Sequence, residues 1–346
     1  MRRVIFIFIV ALHAPFYVLQ AQTGGSATYS FLNLTPSAQV AALGGKVNAV
    51  PGSDPSLAFY NPGLLDSTAN QYLSLNFVSL FAGINYGYAA YARTRGAGNF
   101  AAGIHYINYG TFIGADESGF LTGNFSAAEY AFNLTYSRVL PWLDSALIAG
   151  FNLKPILSTF ERYTSFGLVA DFGVTYRHPN QRFTAAFVLR NMGGQLTPYA
   201  DGGREPVPFE IQLGLSQRLQ HAPFRFSLLM QHLERPKMGF NKINPNPAPG
   251  QKTVKEEDLL KGFDWLLDET MRHIIVGVEC FPFKMFTLRA SYNYNRRQEM
   301  MVATRPGTVG ISWGIGVHLS GFQIDYARAS WHLAGASNHF SMRIGL

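Results

Sequence analysis

A single cysteine, Cys280, stands in 346 residues, so the chain can form neither an intrachain disulfide nor a cysteine-built metal site. Lying in a strand-like run, it reads as a small apolar residue. Charge is scarce too: Asp, Glu, Lys and Arg make up 14% of the sequence, against about 25% in a typical soluble domain. No dense block of lysine and arginine suits nucleic acid, and beyond the amino terminus no run of eighteen or more apolar residues would cross a bilayer as a helix. A G-x-S-x-G elbow is absent, and the nine histidines include no H-x-x-x-H pair. His105 and Asp171 fall on strands with nothing to place an activated serine beside them, and Ala115-Asp116-Glu117-Ser118-Gly119 lacks the later ligands of a calcium loop. The expectation is a non-catalytic chain without cofactor or metal.

The amino terminus is distinctive. Arg2 and Arg3 precede an apolar run from Val4 to Val18, and Ala21-Gln22 follows, which is the order of a secretory signal cleaved near Ala21, with a short anchor as the alternative. Losing residues 1–21 removes Arg2 and Arg3 and lowers the formal charge from +7 to +5. That modest, scattered excess suits anionic glycans or lipids better than nucleic acid.

What the sequence has in quantity is aromatic residues, at 14%, 34 glycines, and alternation. From Phe166 to Tyr176 the even positions read Phe, Leu, Ala, Phe, Val and Tyr, while Gly167, Val169, Asp171, Gly173 and Thr175 lie between them. Side chains alternate across a strand, so this ribbon has one greasy face and one small or polar face. Ala128 to Ser137 repeats the design with Glu129 and Asn133 on the minor face, which favours water there. At roughly 3.3 Å per residue, and tilted by about 45°, the longer run matches the apolar band of an outer-membrane barrel.

From Gln71 the alternation continues almost to Leu346, giving about fourteen segments, an even number as a bacterial single-chain barrel requires. Short links, such as Thr94 to Asn99 and His318 to Gly321, generally alternate with long ones, including Gly110 to Ser126, Gly193 to Pro206, Glu234 to Arg272 and Asn295 to Thr308. Barrels of this class turn tightly on the periplasmic side and loop widely outside, so the long links are expected at the cell surface. The fold class is therefore all-β: a transmembrane antiparallel β-barrel over residues 71–346, with the signal at 1–21. Residues 22–70 lack the strand rhythm and are placed inside or under the barrel rather than in its wall, as a hatch or as a plain packing segment.

Two surface features follow. In the longest loop, Thr253 and Glu256 form a capping box ahead of Leu259, Leu260, Phe263, Trp265, Leu266 and Leu267, most of them at helical spacing. This is either a docking helix for an extracellular partner or a helix packed on the rim. Arg296, Arg297 and Arg305 share a later loop, where guanidinium groups suit lipopolysaccharide phosphates, with plain solvation as the alternative.

Several runs together resemble the PorQ proteins of the type IX secretion system: Phe81-Ala82-Gly83-Ile84-Asn85-Tyr86-Gly87-Tyr88, Tyr106-Ile107-Asn108-Tyr109-Gly110, Glu161-Arg162-Tyr163 with Ser165-Phe166-Gly167, and Arg204-Glu205-Pro206-Val207-Pro208-Phe209-Glu210. The resemblance implies a FadL-like fourteen-stranded barrel with an amino-terminal hatch, in which Asn61-Pro62-Gly63 is similar to an Asn-Pro-Ala turn with glycine in place of alanine. It also implies a non-catalytic role in the surface attachment complex with PorU, PorV and PorZ, where the barrel holds a PorZ-like protein associated with anionic lipopolysaccharide. A reading from a different class remains open: a FadL-like transporter of hydrophobic small molecules.

Overall fold

The pleat separates the two faces of the Phe166–Tyr176 run as the alternation requires: Phe166, Leu168 and Phe172 are exposed, while Val169, Asp171 and Thr175 are buried. A chain built from such ribbons hides its polar faces and leaves no open edge only by closing on itself. The computed structural model, which describes residues 27–80, 83–141, 143–200, 203–238, 263–301, 307–332 and 335–346, is such a closed barrel.

Fourteen antiparallel strands form it in sequence order. They are β1 (Tyr72–Ser79), β2 (Asn85–Arg95), β3 (Gly98–Ala115), β4 (Leu121–Leu140), β5 (Asp144–Phe160), β6 (Tyr163–Arg177) and β7 (Phe183–Thr197), followed by β8 (Glu210–Arg218), β9 (Phe224–Met230), β10 (Ile274–Phe283), β11 (Phe286–Asn293), β12 (Ile311–Leu319), β13 (Phe322–His332) and β14 (Gly335–Gly345). β1 and β14 zip from Tyr72↔Gly345 to Ser79↔Asn338, and the Leu346 amide donates to the Gln71 carbonyl at 2.8 Å. Among the described residues no helix is long and apolar enough to cross a membrane.

Two regions depart from the expected layout. The link from Gly110 to Ser126, expected as a loop, continues β3 and β4 as a hairpin. Gly110, at φ 87°, absorbs a bulge, and the Asp116 carboxylate accepts from the amides of Ser118 and Phe120 to turn the tip. Tyr294, expected at a strand end, instead begins a short helix (Tyr294–Met300), because the Asn293 side chain caps it by accepting from the Arg296 amide at 3.0 Å.

Residues 27–70 fill the lumen. Asp54, Asn61 and Asp66 each accept from the amide two residues on and start a 3₁₀ turn, with Pro55 and Pro62 just after the first two caps. Small residues give the one α-helix here, α1 (Ala38–Ala42), whose alanines pack against Ala327 of β13.

Candidate functional site: the hatch and its seat

The seat is built where wall side chains are missing. Gly150 and Gly173 face each other across β5 and β6, and a Cβ on Gly150 would overlap the Pro62 carbonyl while one on Gly173 would overlap Asn61 Oδ1. Into that gap fits the Asn61-Pro62-Gly63 turn. Asn61 is fully buried; its Oδ1 accepts from the Gly63 amide at 2.8 Å, and its Nδ2 donates to the Asn48 carbonyl at 2.6 Å and Thr175 Oγ1 at 2.9 Å. An alanine at position 63 would bring its Cβ to 3.0 Å from the Gly173 carbonyl and 2.9 Å from Thr175 Oγ1, which accounts for the glycine. Gly214 likewise makes room for the Asn48 side chain.

Charged and polar wall residues then hold the hatch around the circumference. Arg177 of β6 pairs with Asp66, Lys46 reaches Glu210 of β8 at 2.7 Å, and Arg343 of β14 donates to Ser53 Oγ at 2.6 Å. Hatch carbonyls are met one by one: Thr35 by Tyr86, Leu65 by Ser137, Ala49 by Ser216, and Gly44 by both Asn293 and Arg296. Buried backbone groups must be paired, and here the barrel's side chains do it.

The middle of the lumen is charged as well. Lys154 and Asp171, both fully buried, pair at 2.5 Å, and Lys154 Nζ also lies 5.0 Å from the centre of the Phe59 ring. Arg190 stacks over Phe59 and Tyr60 of the hatch at 5.5 and 6.0 Å. These cation–π contacts replace part of the hydration that both cations lose. A second chain of charges runs across the wall from Arg225 to Glu279, Arg289 and Asp325, with contacts of 3.0, 3.0 and 2.6 Å. His105 sits among the rings of Phe31, Phe59, Tyr86 and Tyr88, and among the described residues none is hydrogen-bonded to either of its ring nitrogens. Nearer the long-link end the lumen turns apolar, where Tyr29, Phe31 and Leu32 of the hatch pack on Val78, Ile107, Ala131, Ile156 and Val169.

Two spaces bear on what the barrel holds. Inside, between Leu43, Lys46, Val50 and Leu229, a gap of about 10 Å³ has room for one water. The other, of about 440 Å³, is lined mainly by Leu75, Phe77, Ala89, Ile104, Phe340 and Met342, apolar positions spread over β14, β1, β2 and β3.

The residues singled out for surface contacts fare differently. Leu259, Leu260 and Arg305 lie outside the described residues. Phe263 begins helix α2 (Phe263–Arg272), on which Trp265 is half-buried with Lys237 Nζ 5.7 Å from its ring, and Leu266, Leu267 and Met271 are exposed. α2 is fastened to the rim by Tyr294, which donates to Asp268, and by Gln231, whose Nε2 donates to the Arg272 carbonyl at 3.2 Å. Arg296, expected to meet glycolipid, points inward instead. Its guanidinium donates to the Gly44 carbonyl at 3.0 Å and Ser312 Oγ at 3.2 Å and lies 4.0 Å over the Trp331 ring, so it is not at the surface. Burial lowers its pKa to about 10, which leaves it charged at neutral pH. Trp331 is therefore engaged by the rim. Arg297 is half-buried and donates to the Val309 carbonyl at 3.3 Å.

No family model and no curated protein matches the chain. Solved structures do. The toluene transporter TbuX of Ralstonia pickettii superposes with a TM-score of 0.52 at 12% identity, over 91% of this chain and 98% of that one. A deletion mutant of the monoaromatic hydrocarbon channel TodX gives 0.50 at 12% identity, over 89% and 96%. The monoaromatic hydrocarbon channel CymD gives 0.50 at 11%, over 91% and 97%. At such identities the likeness is one of fold: a closed antiparallel barrel of fourteen strands.

Proposed function

We propose that this barrel is a hatch-closed anchor in the bacterial outer membrane, with its long links at the cell surface holding a soluble partner. One observation carries the reading: the lumen is occupied by residues 27–70, fastened to side chains around the wall and surrounded by buried charges such as Lys154–Asp171 and Arg190. The gap between Leu43, Lys46, Val50 and Leu229, at about 10 Å³, has room for one water and not for a greasy molecule. The resemblance to PorQ proteins supplies the partner's class, a PorZ-like surface protein that brings PorU, PorV and anionic lipopolysaccharide into the assembly. Deleting residues 253–270 should release the PorZ-like protein from cells while the barrel stays inserted, and unchanged retention would reject that surface.

A second reading, a transporter of hydrophobic small molecules, is the one the solved neighbours favour, since TbuX, TodX and CymD are transporters or channels for toluene and monoaromatic hydrocarbons. It requires the hatch to leave its seat. Uptake of labelled toluene or fatty acid that depended on this barrel, and rose when the Asn61 turn was loosened, would put this reading first.

A further inference from the structure

The last rung between β2 and β3 is Asn85↔Asn108, and the last between β4 and β5 is Ala127↔Phe160. Beyond them β3 and β4 pair with each other alone, from Thr111↔Ser126 to Ala115↔Leu121, and among the described residues no other strand covers either edge. At about 3.3 Å per residue, this ribbon stands about 17 Å above its neighbours on the long-link side. Two strands alone are marginally stable in water.

The order of side chains inverts at the Gly110 bulge. In the wall, β4 turns Tyr130, Phe132 and Leu134 outward and Ala127, Glu129 and Ala131 inward. In the ribbon the outward positions become Thr111, Ser126 and Asn124, with Ile113, while Phe112 and Phe125 stack at 5.2 Å on the face that continues the lumen side. A segment lying in lipid would keep its greasy face outward. This one has left the apolar band and presents aromatic rings over the barrel mouth.

Apart from the bulge at Gly110 and the register shift after Gly114, its edges carry no guard. Exposed edge strands normally carry lysine or proline, or are covered, because a row of free amides and carbonyls recruits another strand. Thr111–Ala115 and Leu121–Ser126 contain no lysine, arginine, proline or acid, and Ile113, Phe120 and Leu121 are each more than 70% exposed. Asp116 and Glu117 at the tip are the only charges between Thr111 and Ser126.

We propose that the β3 edge from Tyr109 to Ala115, the longer of the two open edges, is a docking strand that a surface protein completes by adding an extended segment of its own, with apolar side chains of that segment meeting Phe112 and Phe125. Main-chain hydrogen bonds supply the affinity in such an addition, and side chains at alternate positions select the partner. The inference rests on the anchoring reading and places the contact on a different element from α2.

The test uses the full-length barrel in lipid nanodiscs with the PorZ-like surface protein as probe. Amide exchange over residues 109–115 should slow by about tenfold or more on binding, while 121–125 changes little. The Ile113→Lys/Ala115→Lys variant should weaken retention by about tenfold, with the heat-modifiable mobility of the barrel unchanged, and Leu266→Lys on α2 serves as the comparison. Unchanged retention in the double-lysine variant overturns the hairpin proposal alone. Protection of 109–115 by nanodisc lipid without the probe also overturns it, since the membrane surface would then be the cover. If the unaltered barrel holds no PorZ-like protein, the anchoring reading falls first and takes this inference with it.

Discussion

Asn61 occupies the space that a side chain at residue 173 would need: a Cβ on Gly173 would overlap its carboxamide oxygen. That one vacancy couples the wall to the hatch, because the same carboxamide holds Gly63, Asn48 and Thr175. Gly173→Ala should therefore unseat the turn and cost about 2–4 kcal/mol, from overpacking plus the buried hydrogen bonds. The expected outcome is a barrel that keeps its heat-modifiable mobility while residues 27–70 become protease-sensitive and single-channel conductance appears in planar bilayers. A protected hatch in Gly173→Ala would disprove the coupling.

Lys154→Met strands Asp171 in the lumen without its cation. The Asn191 amide at 2.8 Å and the Asn152 carboxamide at 3.2 Å still reach Asp171, yet breaking one side of a buried pair costs about 3–5 kcal/mol. Replacing both, as Lys154→Met/Asp171→Leu, should recover most of the loss. Unfolding of the detergent-solubilised barrel, read as a double-mutant cycle, checks this, and additive losses would show that the two groups do not interact.

Arg289 and Asp325 sit on strands that are not neighbours, and their bridge crosses β12 at Gly316, where a Cβ would overlap the carboxylate. Gly316→Ala should break the bridge and lower the unfolding free energy by about 1–3 kcal/mol. Gly321→Ala, at a turn where a Cβ meets nothing within 4 Å but φ is 70°, controls for strain alone. Equal effects at the two sites would remove the bridge from the explanation.

Arg296 joins the hatch to the outer rim through Gly44 and Trp331. Arg296→Ala should shift the emission of Trp331 and speed amide exchange around Gly44, with Arg296→Lys recovering little because a single ammonium does not reproduce the planar guanidinium on the ring. Unaltered emission in both variants would mean that the stacking does not persist in solution.

The wall was legible because the period of two is local: Phe166, Leu168 and Phe172 announce their face without knowledge of any partner, and the number of segments agrees with the closed ring. The seat was not legible, since it depends on residues far apart in sequence. Lys154, Arg190, Glu210, Arg289 and Asp325 all stood at inward positions of their strands, and that was the available signal: a charge on the minor face of an apolar ribbon needs a counterpart on a nearby strand. Gly150 and Gly173 look like ordinary weak points until Asn61 and Pro62 are set against them. Arg296 misled for a similar reason, because loop membership says nothing of which way a side chain turns once Asn293 caps the helix beneath it.

The hatch begins its described course at the long-link mouth, where Tyr29 meets Ser165 at 2.5 Å, and ends at the opposite rim, where the Gln71 amide donates to the Ala92 carbonyl at 2.9 Å and the chain enters β1. It is thus a stopper on a leash, and the leash is fixed at the short-turn rim. Movement toward that rim can proceed by hinging about Asn70 and Gln71, whereas travel out of the far mouth would soon pull on β1 and the seam it shares with β14. If the lumen ever clears, the direction of clearing is set by that attachment, whatever force acts from outside.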